Sequence, residues 1–155
     1  MTRPATAVLL VAHVVAVVVA YGALGLTGVY ARTARTAVDP FDSDRLTRYF
    51  RPGHNLAARV LYLVPAFGFA LLLAEPTTEF SRAYPWIGLG IWTVSIAIAT
   101  STVWPNEAAI QTLLAAGRTP GARTALRDRC RSLERATGVL VVLFVAGVVV
   151  MIARV

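Results

Sequence analysis

Apolar residues in this chain do not alternate with polar ones. They gather into four long blocks separated by stretches rich in arginine. The blocks lie at about 5–31, 56–74, 84–104 and 136–153, close to or above the roughly 20 helical residues that cross about 30 Å of hydrocarbon. Continuous apolar runs of this length predict spanning helices rather than strands or surface helices. The expected fold is therefore all-α: a polytopic membrane protein, one domain built as a four-transmembrane-helix bundle, with two long connections at about 32–55 and 105–135. The second block is the shortest and contains Pro65. A proline removes one helical hydrogen bond and predicts a kink, which neighbouring helices compensate. The first block, about 27 residues, exceeds the roughly 7–15 apolar residues of a signal-peptide core and reads as a retained helix.

Composition agrees with that pattern. Of 155 residues 57% are hydrophobic and only 15% charged, against about 25% charged in a soluble domain; the mean hydropathy is +0.65. The basic residues are fifteen arginines and no lysine, against eight acids, for a net charge of +7. Exclusive use of arginine points to a GC-rich bacterial genome. Because these arginines sit beside apolar blocks, the excess charge reads as topology control and contact with anionic lipid headgroups, not as nucleic-acid binding. The single cysteine, Cys130, excludes an intramolecular disulfide and a cysteine-based metal cluster.

The distribution of arginine sets an orientation. Arg32, Arg35, Arg45, Arg48, Arg51 and Arg59 follow the first block, and Arg118, Arg123, Arg127, Arg129, Arg131 and Arg135 precede the fourth. The opposite side holds Arg3, Arg82 and Arg154. By the positive-inside rule both long connections face the cytoplasm and both termini lie outside the bacterial plasma membrane. The short AEPTTEFSRAYPW connection is then external, with Tyr84 and Trp86 at the interface, while Trp104 marks the inner boundary and Pro105 the point where the chain leaves the membrane.

Within the connections, Arg123, Arg127, Arg131 and Arg135 fall four apart and form a stripe, with Leu126, Cys130 and Leu133 on the adjacent face. This pattern predicts a short basic amphipathic helix at the inner leaflet that turns into the fourth span. The stripe serves first as a lipid-facing anchor; docking of an acidic partner is the alternative. In the first connection, Asp42 or Ser43 caps a short helix that presents Leu46, Tyr49 and Phe50 to the interface. Pro52-Gly53 supplies a turn, His54 lies in it at the membrane edge, and Asn55 caps the second span.

His13, inside LLVAHVVAVVVA, is the sharpest candidate for function, since an ionisable residue within a span is functional by default. Its distance in depth from His54 excludes a bis-histidine site. Thr93 and Ser95 of the third span, and Met151 of the fourth, are expected at its level. One reading gives His13 a hydrogen bond to Thr93 or Ser95. The other makes His13 and Met151 ligands of haem b or copper. Gly22, Gly25, Gly28, Gly88 and Gly90 predict close helix contacts that serve bundle assembly and offer a surface to a membrane protein partner. The eight acids all fall in connections or at helix ends; a span without a carboxylate argues against ion-coupled transport. No catalytic constellation stands out.

The early histidine in LLVAHVV, the segment VWPNEAAIQTLL and the terminal VVVMIARV resemble a bacterial family of integral membrane proteins without assigned activity, similar in layout to the copper-resistance D (CopD) group. The likeness covers nearly the whole chain. It implies a four-helix bundle with a link to metal or haem handling, and carries over His13 as a candidate ligand. HemJ-type protoporphyrinogen oxidases are also similar in their helix-1 histidine, but pair it with a lysine that this chain lacks. The expected role is a small, non-enzymatic accessory or scaffold protein of a larger membrane assembly, with a haem- or copper-binding protein as the alternative.

Overall fold

After Pro4 the chain meets no proline until Pro40, and α1 runs unbroken over Arg3–Thr36, about 51 Å at 1.5 Å per residue. The computed structural model describes residues 3–51, 54–74 and 81–153. It is 89% helical, with no strand among the described residues. Four helices are long and apolar enough to cross a membrane, so the all-α four-helix layout holds. The Pro52-Gly53 turn, residues 75–80 of the short connection and Arg154 lie outside the described residues, as do the side chains of Arg3, His54 and Asn55.

Both long connections contain more helix than the apolar blocks imply. Ser43 caps the short α2 (Asp44–Tyr49) by accepting the Leu46 N–H at 3.4 Å. Its residues Leu46 and Tyr49, with Phe50 after it, do not face the interface as expected; they are buried in the core. The second span begins as a 3₁₀ segment (His54–Tyr62) and becomes α3 (Leu63–Ala74) just before Pro65. In an α-helical register Pro65 has no N–H to give the Leu61 carbonyl. That carbonyl instead accepts Trp92 Nε1–H at 2.8 Å.

The third span also corrects an expectation. Pro105 does not end it: α4 (Ala83–Ile98), a π turn (Ala99–Val103) and α5 (Trp104–Ala116) form one continuous helix. The widened turn, in which the Trp104 N–H reaches back to the Ala99 carbonyl, lets the proline enter at the first turn of α5 without a broken bond. Gly117 and Gly121, at φ +73° and +79°, form the turn into α6, positions where a side chain is strained. The basic amphipathic segment is likewise no separate helix lying on the leaflet. It is the first part of α6, continuous over Ala122–Ala153. Nothing between Ala122 and Thr137 breaks the helix, and Leu126, Cys130 and Leu133 are buried in the bundle rather than turned to lipid.

α1 packs antiparallel against α6 over the longest contact, and against the 3₁₀ segment and α3 on its other side; α4 and α5 pack against α6. Gly25 faces Val141 at 3.6 Å, and at Gly28 a Cβ would collide with Thr137 Oγ1. Nothing lies within 4 Å of a Cβ at Gly22 or Gly90, whereas Gly88 receives the Met151 methyl. The glycine stripe is therefore a seam at three of its positions and open at two.

Candidate functional site

His13 lies on the first third of α1 and turns toward α3. Its Nδ1 is 3.1 Å from the Val64 carbonyl oxygen. A carbonyl only accepts, so Nδ1 carries the proton and Nε2 keeps its lone pair. The ring also packs over Gly68, whose absent side chain leaves the space: a Cβ there would stand 3.4 Å from Cε1. The expected bond to Thr93 or Ser95 does not form. Thr93 donates to Leu89 O of its own helix at 2.8 Å, and Ser95 accepts Tyr21 O–H at 2.7 Å. Ser95 thus sits level with Tyr21, eight residues and roughly 12 Å below His13. The expectation failed because α1 begins further out than α4, which offsets depths counted from the ends of the apolar blocks. Extending the α1–α6 register from Gly28–Thr137 and Gly25–Val141 brings Met151 to about the level of Val14. Yet its methyl packs on Gly88 of α4, whereas His13 packs on α3.

A second polar centre was missed by the sequence reading. Glu107, on α5, is only 6% exposed, and its Oε1 accepts from Thr27 Oγ1 of α1 at 3.1 Å. Thr27 Oγ1 is also 2.9 Å from Tyr49 OH and 3.1 Å from Ala23 O. In the Thr27–Tyr49 contact either hydroxyl can be the donor. Tyr49 stacks on Tyr30 with ring centroids 3.8 Å apart. The adjacent Asn106 donates to Thr102 O at 2.7 Å and reaches Ser132 Oγ at 3.4 Å. Thus one acid, about one and a half turns from Arg32, is buried between helices of the bundle and does not lie in a connection or at a helix end as expected. The helical period was a usable signal: Glu107, Ile110 and Leu114 share a face, and Ile110 is fully buried. Reading Pro105 as a helix end concealed it.

The basic end is bound together by ion pairs. Arg35 Nε is 2.9 Å from Glu134 Oε2, and Arg32 approaches the same carboxylate at 4.0 Å. Arg118 pairs with Asp39 at 2.7 Å and also with Asp42. Partial desolvation pushes the Asp39 carboxyl up, but the Phe41 N–H and the Arg118 guanidinium outweigh it and hold the group below its ordinary value. The four stripe arginines remain exposed on α6 but are not alike: Arg123 donates to Val38 O, while Arg127, Arg131 and Arg135 have no ion-pair partner among the described residues. Likewise, no group of three or more metal-ligating side chains occurs among the described residues.

Comparison of the chain with protein-family models, with curated proteins and with solved structures gives no match.

Proposed function

We propose that this chain is a small, non-enzymatic accessory or scaffold protein of a larger assembly in the bacterial plasma membrane, with both termini outside and the arginine-rich end in the cytoplasm against anionic headgroups. One observation carries the reading: polar side chains within the spans join helix to helix. His13 ties α1 to α3, Tyr21 ties α1 to α4, Trp92 ties α4 to the 3₁₀ segment, and Thr27 ties α1 to α5. Polar groups used this way give a bundle a fixed shape and leave its apolar exterior to lipid and to a membrane partner.

A second reading is favoured by the same histidine. With Nδ1–H held by Val64 O, Nε2 is the basic nitrogen and its direction is fixed, the usual preparation of a metal-ligating imidazole. The resemblance to the copper-resistance D layout supports haem or copper at His13; Met151, packed on Gly88 of α4 while His13 packs on α3, does not join it as a second ligand.

Purification of the full chain and of His13→Ala from native membranes in mild detergent separates the two. The scaffold reading expects a colourless, metal-free protein migrating with a stoichiometric partner, and a variant that assembles less stably. Stoichiometric haem or copper in the wild type that disappears in His13→Ala would replace it with the cofactor reading.

A further inference from the structure

Between the π turn and α6 lies an open groove of about 440 Å³. Its wall on α6 repeats at three and four residues, from Asp128 through Arg131, Ser132 and Arg135 to Ala136 and Val139; the opposite wall is Ile98 and Thr102. The two helices run antiparallel, and the register set by Asn106 on Ser132 and by Ile91 on Gly147 brings Thr102 level with Ala136, beside Arg135, and Ile98 close to Val139. The groove therefore changes from charged to apolar along its length, at the level where the span gives way to the arginine-rich end.

Several arginines are already engaged, and Arg127, which has no ion-pair partner among the described residues, does not line the groove. Arg35, Arg118 and Arg123 have acceptors within the protein, and Arg129 reaches Asn106 Oδ1 at 3.5 Å. Arg131 and Arg135 have no such partner among the described residues and stand one turn apart over the same groove. Two unpaired guanidiniums with a hydroxyl beside them suit a phosphodiester. The apolar end suits the first methylenes of an acyl chain. Asp128 accepts hydroxyl donors and discriminates against a bare phosphate.

We infer that this groove is a discrete site for one anionic phospholipid with a hydroxyl-bearing headgroup, phosphatidylglycerol being the simplest. Arg131 and Arg135 hold its phosphate, Ser132 and Asp128 its glycerol, and Ile98 and Val139 the upper acyl chain. The inference rests on the reading that the arginine-rich end meets anionic headgroups, and it narrows the basic stripe to two of its four members.

The test is native mass spectrometry of the full chain in detergent, titrated with phosphatidylglycerol, phosphatidylethanolamine or phosphatidylcholine. One phosphatidylglycerol is expected to bind in preference to the other two. Arg131→Gln with Arg135→Gln should weaken it about thirtyfold, while the charge-matched Arg123→Gln with Arg127→Gln changes it less than about threefold. Ser132→Leu, which fills the groove and keeps both charges, should also abolish the preference. Soluble glycerol phosphate should fail to displace the lipid. Equal losses in the two arginine pairs would overturn the discrete site and leave a diffuse basic surface. No preference for phosphatidylglycerol in the wild type would overturn both the site and the anionic-headgroup reading. Displacement by millimolar glycerol phosphate would overturn the role of the apolar end.

Discussion

At the arginine-rich end, Leu46, Phe50, Ile110, Leu126 and Leu133 are sealed among α1, α2, α5 and α6, whereas toward the His13 end Val11, Val14, Val15, Val149 and Ile152 point outward. The contrast follows from what surrounds each region. Where water lies outside, burying apolar area is worth about 25 cal/mol per Å², and a packed core results. Where lipid lies outside, that gain disappears, because a valine is as comfortable against an acyl chain as against another helix. Association there depends on close approach at glycine and on hydrogen bonds, which is what Gly68, Gly88, His13–Val64 and Tyr21–Ser95 provide. One protein thus uses two rules of packing along the same four helices.

The largest expected effect comes from breaking the water-type core. Leu133→Ala removes a fully buried side chain and should cost about 2–5 kcal/mol. Val142→Ala, at a position 68% exposed, should stay within about 0.5 kcal/mol. Reversible unfolding of both variants in mixed detergent micelles checks the difference. Next comes the seam between the regions. Gly28→Ala drives a methyl into Thr137, itself buried, and should destabilise by about 1–3 kcal/mol. Gly22→Ala enters open space and should be neutral or stabilising by up to about 1 kcal/mol. Equal effects at the two glycines would remove the seam from the account.

The polar ties should weigh less. Tyr21→Phe is expected to cost about 0.6 kcal/mol, the usual value for a hydrogen bond between spans. Thr27→Val should cost more, about 1–2 kcal/mol, because it also takes a donor from the buried Glu107 carboxylate. Glu107→Gln keeps the shape and tests whether the charge itself is needed, read by the same unfolding curves. The smallest effect belongs to the exposed Arg118 clamp. Asp39 lies below its ordinary value in the folded chain. Its contribution is therefore complete above the ordinary carboxylate range and fades as pH falls through the lowered value. Amide protection factors in the 117–121 turn, corrected for the intrinsic pH dependence of exchange, should fall with acid in the wild type and change less in Asp39→Asn, where Asp42 alone still pairs with Arg118.

Much of the fold was legible because hydropathy writes membrane spans directly: the four blocks became four helices. What escaped was local. Pro105 resembles a stop signal, and only a π turn at Ala99–Val103 lets the helix continue past it; misreading the proline hid Glu107 as well. The continuity of α6 was readable in principle, since no proline or glycine separates Ala122 from Thr137. The basic stripe drew attention instead to lipid, although Leu126 and Leu133 beside it were needed by the bundle. The partner of His13 was not readable at all. A backbone carbonyl has no residue signature, and Val64 is an acceptor only because of where α3 passes.

The two packing rules rest on the two ends facing different solvents, and thiol labelling reads that directly. In a Cys130→Ala background, single cysteines at the exposed positions Arg127 and Val142 are treated with a membrane-impermeant maleimide, in intact cells and after permeabilisation. The account predicts that the cysteine at 127 is labelled only after permeabilisation and the one at 142 in neither condition. Labelling at 127 in intact cells would reverse the orientation, and labelling at 142 after permeabilisation would contradict the lipid-facing surface on which the comparison stands.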